Sequence, residues 1–214
     1  MQRWSVVVPA KRLEVAKTRL TPLTAGSGGD VPASHPELVL ALLADTVAAA
    51  RNSPLVALVL VVTDDPRAAA VGRELGAATV GDEPDGGLNA ALAHGADRAR
   101  ALTGGPVAAL SSDLPALRPG ELTAALQAAA AVPRAFVADA AGTGTTLLAV
   151  TDGALAPRFG PASAVAHAAG GAVPLDGDWP GLRQDVDTPA DLQAAARIGL
   201  GARTAAVAAR LIPR

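Results

Sequence analysis

Three kinds of residue in this chain could do chemistry. The first are cations. Of 18 basic residues only Lys11 and Lys17 are lysine, six positions apart after the first β-branched run, with Arg12 and Arg19 beside them. An ammonium meets phosphate as a compact point charge, so phosphate binding competes here with two solvated surface lysines. The second are isolated carboxylates. Asp113 follows the apolar run 107–110 within Ser111-Ser112-Asp113-Leu114-Pro115. A turn or helix-capping aspartate is the plain alternative, but a strand with apolar neighbours would hold this carboxylate rigidly at a sheet edge. Asp185 and Asp187 alternate on an extended stretch and would share a face. Asp187 also precedes Thr188-Pro189-Ala190-Asp191, a helix-start pattern, which leaves Asp185 the better ligand.

The third kind are glycines and hydroxyls that expose backbone donors: Gly86 and Gly87 with Asn89, the Gly142-Thr143-Gly144-Thr145 turn, and Arg158-Phe159-Gly160-Pro161-Ala162-Ser163. The glycine-threonine turn is either a phosphate cradle or a hairpin connection. Asp139 before it reads as a turn residue rather than a third ligand. Together these are the parts for phosphate plus Mg²⁺, which takes one or two carboxylates and fills its shell with water and phosphate oxygens. Two such ions can clamp the attacking and leaving oxygens of an in-line displacement.

The elements that position these residues alternate. Strands are expected at 4–9, 55–62, 77–80, 107–110, 135–138 and 145–150, with a weak one at 172–175. Helices are expected at 36–51, 66–75, 88–102 and 119–131, with 158–167 irregular and then helical, and a last helix opening at Pro189. In the first helix Leu38, Ala41, Leu42, Asp45 and Val47 are spaced for one apolar stripe. The stretch 24–34, TAGSGGDVPAS, is a candidate mobile flap. Alternation of strand and helix predicts an α/β domain with a largely parallel sheet covered on both faces, whose ligands sit beyond the carboxyl ends of the strands. No linker divides residues 1–214, so one domain is expected.

Composition narrows the function classes. Aromatics make up 2%, two Trp, two Phe and no Tyr, which argues against base-stacking nucleic-acid platforms. The net charge of −2 argues against a bulk polyanion partner. With no cysteine, disulfides, thiolate metal sites and cysteine nucleophiles are excluded. No apolar run reaches a membrane span, and the N-terminus carries Arg3 without a signal peptide's apolar stretch; a soluble cytoplasmic domain is expected. GxxxxGK[ST], GxGxxG after the first strand and GxSxG are all missing. His35, His94 and His167 lack metal spacing and read as surface residues.

Six segments, in order over almost the whole chain, resemble the guanylyltransferases of coenzyme F420 biosynthesis. They are Val8-Pro9-Ala10-Lys11-Arg12-Leu13, Ala16-Lys17-Thr18-Arg19-Leu20, Ser112-Asp113-Leu114-Pro115, Gly142-Thr143-Gly144-Thr145, Arg158-Phe159-Gly160-Pro161 and Asp185-Val186-Asp187-Thr188-Pro189. The resemblance implies a Rossmann-like three-layer α/β/α sandwich of the nucleotide-diphospho-sugar transferase type, related to molybdenum-cofactor guanylyltransferases. It implies transfer of GMP from GTP to phosphoenolpyruvate, with pyrophosphate released and enolpyruvoyl-2-diphospho-5'-guanosine formed. Transfer to 2-phospho-L-lactate and a non-catalytic nucleotide-binding scaffold are the alternatives; the alanine and arginine bias of a GC-rich genome favours the phosphoenolpyruvate branch.

Carried over by motif, Asp113 and Asp185 would hold two Mg²⁺ ions and, with Lys17, form the catalytic set. Thr145, Gly160 and Ser163 would bind phosphoenolpyruvate. Lys11, Lys17, Arg19, Gly87 and Asn89 would bind the nucleotide. Relatives have a glycine-rich loop after the first strand, whereas 9–23 here contains no glycine, so side-chain cations would replace part of the backbone cradle. The enol-ester product would be labile, which implies a downstream transferase that captures it.

Overall fold

The computed structural model describes residues 3–11, 20 and 35–211. Arg12, Lys17, Arg19 and the 24–34 segment lie outside them. β1 (Trp4–Pro9) is the β-branched run that Pro9 closes. It has parallel neighbours on both sides, β2 (Val56–Val62) and β4 (Val107–Leu110), and needs apolar residues on both faces. With β3 (Ala78–Val80), β5 (Arg134–Ala138), β6 (Thr145–Val150) and β7 (Val173–Pro174), they form one sheet of order β3-β2-β1-β4-β6-β5-β7. β6 runs antiparallel to both β4 and β5, and the other pairings are parallel. The carboxyl ends of β1 to β5 and the start of β6 therefore meet along one edge. The order reverses between β1 and β4, the place where open sheets of this kind bind ligands.

The strands' alternation divides the core into layers. Val6 and Val8 face α1 (His35–Arg51) and α4 (Pro119–Ala129), whereas Val7 faces α3 (Leu88–Thr103) with Leu92, Ala96 and Ala99. The single-domain three-layer α/β sandwich expected from the alternation is the observed fold. With so few aromatics, close approach replaces large anchors. At Gly95 an added Cβ would lie 2.5 Å from a Val62 methyl and 2.6 Å from a Val7 methyl, so α3 rests directly on β1 and β2. α2 (Pro66–Glu74) begins at an N-cap, Asp65, whose carboxylate accepts from Arg67 N (2.9 Å) and Ala68 N (3.3 Å).

The C-terminal third differs from expectation. The helical part of 158–167 is α5 (Ser163–Ala169), and the weak strand shrinks to two residues. A short α6 (Pro180–Arg183) precedes α7 (Pro189–Ile198), which is not last: α8 (Ala202–Leu211) follows. The helix α1 correspondingly carries no single stripe. Leu43 and Val47 face the sheet, while Leu38 and Leu42 pack with Leu192, Val207 and Leu211. Asp45, expected on the apolar stripe, accepts from Thr204 N (2.7 Å) and Arg203 N (3.2 Å) and so caps α8. Asp45→Ala is expected to lower stability by about 1–2 kcal/mol. A thermal melt would show that loss, while nucleotide affinity should stay unchanged.

Among the described residues no helix is long and apolar enough to cross a membrane.

Candidate active site

At the shared edge, a cavity of about 310 Å³ opens between the ends of β1, β2 and β3 and the start of α3. Pro9, Ala10 and Lys11 form one wall, Gly87, Leu88 and Ala91 another, and Asp64, Asp82 and Asp85 supply carboxylates. Lys11 and Gly87 are thus brought together, as a shared nucleotide site requires. Gly87 is the N-cap of α3 at φ +85°, with no side-chain cap bond. Glycine adopts that conformation without strain, and the first turn of a helix carries amide donors that have no intrahelical acceptor. Asp64 accepts from Asp82 N (2.9 Å), which ties the β2 and β3 ends together. In the sequence these acids read only as turn residues; Asp-Asp-Pro and Gly-Asp-Glu-Pro-Asp are turn patterns, and nothing in their spacing marks a cavity.

Asn89 faces elsewhere. Its Nδ2 donates to the Phe159 carbonyl (3.0 Å) and its Oδ1 accepts from the Phe159 N–H (2.7 Å). Both ends of the amide hold the peptide of a distant loop.

Asp113 is 8% exposed. Its carbonyl accepts from Val186 N (3.1 Å), and Leu114 N donates to Thr46 Oγ1 of α1 (2.9 Å). The chain is therefore fixed on both sides of the carboxylate. The helix-cap alternative does not apply, because α4 starts at Pro119 with Arg118 as N-cap, whose N–H donates to Glu121 (3.0 Å). The Val186–Asp113 bond makes Asp185 a near neighbour of Asp113. Asp185 is half-buried and Asp187 exposed. The cap of α7 is made by Thr188 and Asp191, which exchange hydrogen bonds of 2.8 and 3.3 Å; Asp187 joins through its backbone N–H.

The segment that follows β5 gathers Thr145, Gly160 and Ser163. Asp139 accepts from Thr143 N (2.9 Å) and Gly144 N (2.8 Å). It is a turn residue, and these amides stabilise the hairpin instead of cradling phosphate. Ala164 N donates to Thr143 O (3.1 Å) and Ser163 N to Gly160 O (3.2 Å), which joins the turn to α5. Gly160 has φ +136° with open space where a Cβ would stand.

His167 departs furthest from expectation. It is 2% exposed, not a surface residue, with Nδ1 2.9 Å from Thr145 Oγ1 and Nε2 accepting from Arg158 N (2.9 Å). Both phenylalanines pack on it, Phe159 edge-on at 5.1 Å and Phe136 at 6.0 Å. Burial, then the charges of Arg134 and Arg158, push its pKa down to about 4. His35 and His94 are half-buried. An isolated histidine in an alanine-rich stretch carries no periodic signal, so only the assembled fold shows its place.

A family model described as "Guanylyl transferase CofC like" matches residues 4–171. The phosphoenolpyruvate guanylyltransferase of Geodermatophilus obscurus is 65% identical over 207 residues, covering 97% of this chain and 94% of that protein. Among solved structures, a chain from Desulfovibrio desulfuricans G20 assigned as a nucleotide-diphospho-sugar transferase superposes with a TM-score of 0.69. It is 16% identical and covers 99% of this chain and 97% of its own. Rv0371c of Mycobacterium tuberculosis H37Rv, in complex with manganese, superposes with a TM-score of 0.52 at 19% identity, covering 92% and 99%. The two structures share the fold; the sequence match reaches further, and this chain belongs to the family of CofC-like guanylyl transferases.

Proposed function

We propose that this protein transfers GMP from GTP to phosphoenolpyruvate and releases pyrophosphate. The observation that carries the reading is 65% identity, along nearly the full length, to a relative of that activity. A phosphate oxygen of phosphoenolpyruvate attacks the α-phosphorus of GTP. The new P–O bond forms as the bond from the α-phosphorus to the β-phosphate oxygen breaks, and that electron pair leaves on pyrophosphate. The attacking oxygen is already an anion, so no general base is required.

Charge is the obstacle, because two polyanions must meet. Lys11, with Lys17 and Arg19 of the same connection, offsets the triphosphate charge. On this reading Asp113 and Asp185 are the hard-oxygen ligands; among the described residues no group of three or more His, Cys, Asp or Glu could hold a metal ion. A carboxylate pair of this kind fits Mg²⁺, whose other positions go to water and phosphate. When bound there, Mg²⁺ (two ions on this reading) neutralises phosphate charge. The carboxylates lining the cavity favour guanine over adenine, since guanine's N1–H and N2–H₂ are adjacent donors and adenine presents an acceptor at N1. Thr145, Gly160 and Ser163 surround the acceptor, and Gly87 lies beside the nucleotide; the Asn89 amide acts through the Phe159 peptide. The labile enol-ester product requires a transferase that takes it up, and the reaction is a cytoplasmic one.

The test is incubation with GTP, Mg²⁺ and either phosphoenolpyruvate or 2-phospholactate, with the product identified by mass. Pyrophosphate and enolpyruvoyl-2-diphospho-5'-guanosine are expected, with kcat/KM clearly higher for phosphoenolpyruvate. Preference for 2-phospholactate would reject the acceptor, and absence of pyrophosphate with both would reject transfer itself.

A further inference from the structure

His167 touches no part of the cavity beside Lys11, yet it is the most enclosed titratable side chain near the proposed acceptor residues. Its hydrogen bonds fix its protonation. The Arg158 backbone N–H can only donate, so Nε2 must be the bare nitrogen. A neutral ring then carries its proton on Nδ1, and that N–H donates to Thr145 Oγ1. Thr145 accepts there, which leaves its own hydroxyl proton to be given elsewhere. A hydroxyl that accepts one hydrogen bond is polarised into a better donor for the next.

The other side of the ring acts on backbone. Nε2 holds Arg158 N, Asn89 holds the backbone N–H and C=O of Phe159, and Gly160 follows immediately. The loop is thereby tied to the first residue of β6 through one imidazole, and Phe136 and Phe159 keep that ring from turning.

We propose that His167 is a positioning residue for the acceptor, a neutral bridge that turns the Thr145 hydroxyl into an anion-directed donor and sets the Gly160 backbone beside it. The inference rests on the phosphoenolpyruvate reading and adds a residue that contacts no substrate. The charged groups acting on the ring are the guanidiniums of Arg134 and Arg158, and both oppose its protonation. The bridge therefore persists from neutral pH down to about 4, where protonation would aim an Nε2–H at the Arg158 N–H and break it.

Two measurements test this. In ¹⁵N-labelled full-length protein, the His167 ring should show the Nδ1–H tautomer at pH 7 and keep it down to about pH 4; an Nε2–H tautomer overturns the proposal. Steady-state kinetics should then separate the two substrates. His167→Gln keeps an acceptor near the Nε2 position, His167→Asn keeps a donor near Nδ1, and His167→Phe keeps neither. The KM for phosphoenolpyruvate should rise about tenfold or more in His167→Phe and less in the two partial mimics, with the KM for GTP unchanged throughout. Equal rises for both substrates, or an unchanged acceptor KM in His167→Phe, would overturn the role of His167 while the wild type still transfers GMP. A wild type that transfers nothing to phosphoenolpyruvate removes the acceptor itself and overturns both readings.

Discussion

Asp113→Asn is expected to reduce phosphoenolpyruvate-dependent pyrophosphate release by on the order of 10²-fold or more, and Asp185→Asn to do the same. On the proposed reading, each change removes one negative charge from a two-carboxylate metal site while preserving side-chain volume. Asp113 is well suited to this comparison, because its backbone is held by bonds to Val186 and through Leu114 to Thr46, and asparagine leaves both in place. The fold should therefore survive, with circular dichroism unchanged, and excess Mg²⁺ should restore part of the rate. Asp187→Asn is the internal control: its side chain is exposed and the cap of α7 is built by Thr188 and Asp191, so turnover should stay near wild type. Near-normal rates in either Asp113→Asn or Asp185→Asn at ordinary Mg²⁺ would exclude the two-carboxylate assignment.

The second large effect is expected in the core. Gly95→Val should destabilise the fold by about 3 kcal/mol, the upper end of the usual overpacking range. Even the first added carbon meets methyls of Val62 and Val7 at 2.5 and 2.6 Å, and both belong to strands at the centre of the sheet. Those strands are held by pairs on both sides, so α3 must move outward instead. That motion carries Gly87 and Asn89 with it and loosens the Phe159 peptide. Urea unfolding should show the loss as a lower midpoint at similar slope. Gly95→Ala should cost less, since alanine's helix preference over glycine offsets about 1 kcal/mol of the crowding. A Gly95→Val midpoint equal to wild type would mean that α3 does not rest on the strands as described.

Local pattern made the central architecture legible. β-branched runs, Pro66 and Pro119 at helix starts and Gly76 at a helix end each specify an element through its own residues. The elements that escaped depend on distant partners. α8 is capped by Asp45 from a helix more than 150 positions earlier, and a lone acid on an apolar stripe does not announce that role. The site divides in the same way. Asp113 and the Thr145 turn stand out because strand ends advertise themselves in a sequence. The carboxylates of the Lys11 cavity, the commitment of Asn89 to Phe159 and the enclosure of His167 arise only where separate segments meet. Composition hid the last of these especially well, since two phenylalanines are few for enclosing a ring unless both pack on the same one, as they do here.

The reversed strand has a further consequence. In a wholly parallel sheet each strand reaches the ligand edge once and leaves by a helix, so neighbouring site residues come from remote stretches of chain. β6 instead starts at that edge, and the hairpin from β5 returns to it within a few residues. Thr145, Gly160, Ser163 and His167 therefore fall within 23 consecutive positions, while Lys11, the acidic cavity and Gly87 all precede Asp113. If Thr145, Gly160 and Ser163 hold the acceptor, the residues that touch it are inherited as one short contiguous stretch, braced from outside by Asn89 and Phe136. Descendants of such a gene can exchange or drift in that stretch and change acceptor while the Lys11 cavity stays under its own selection.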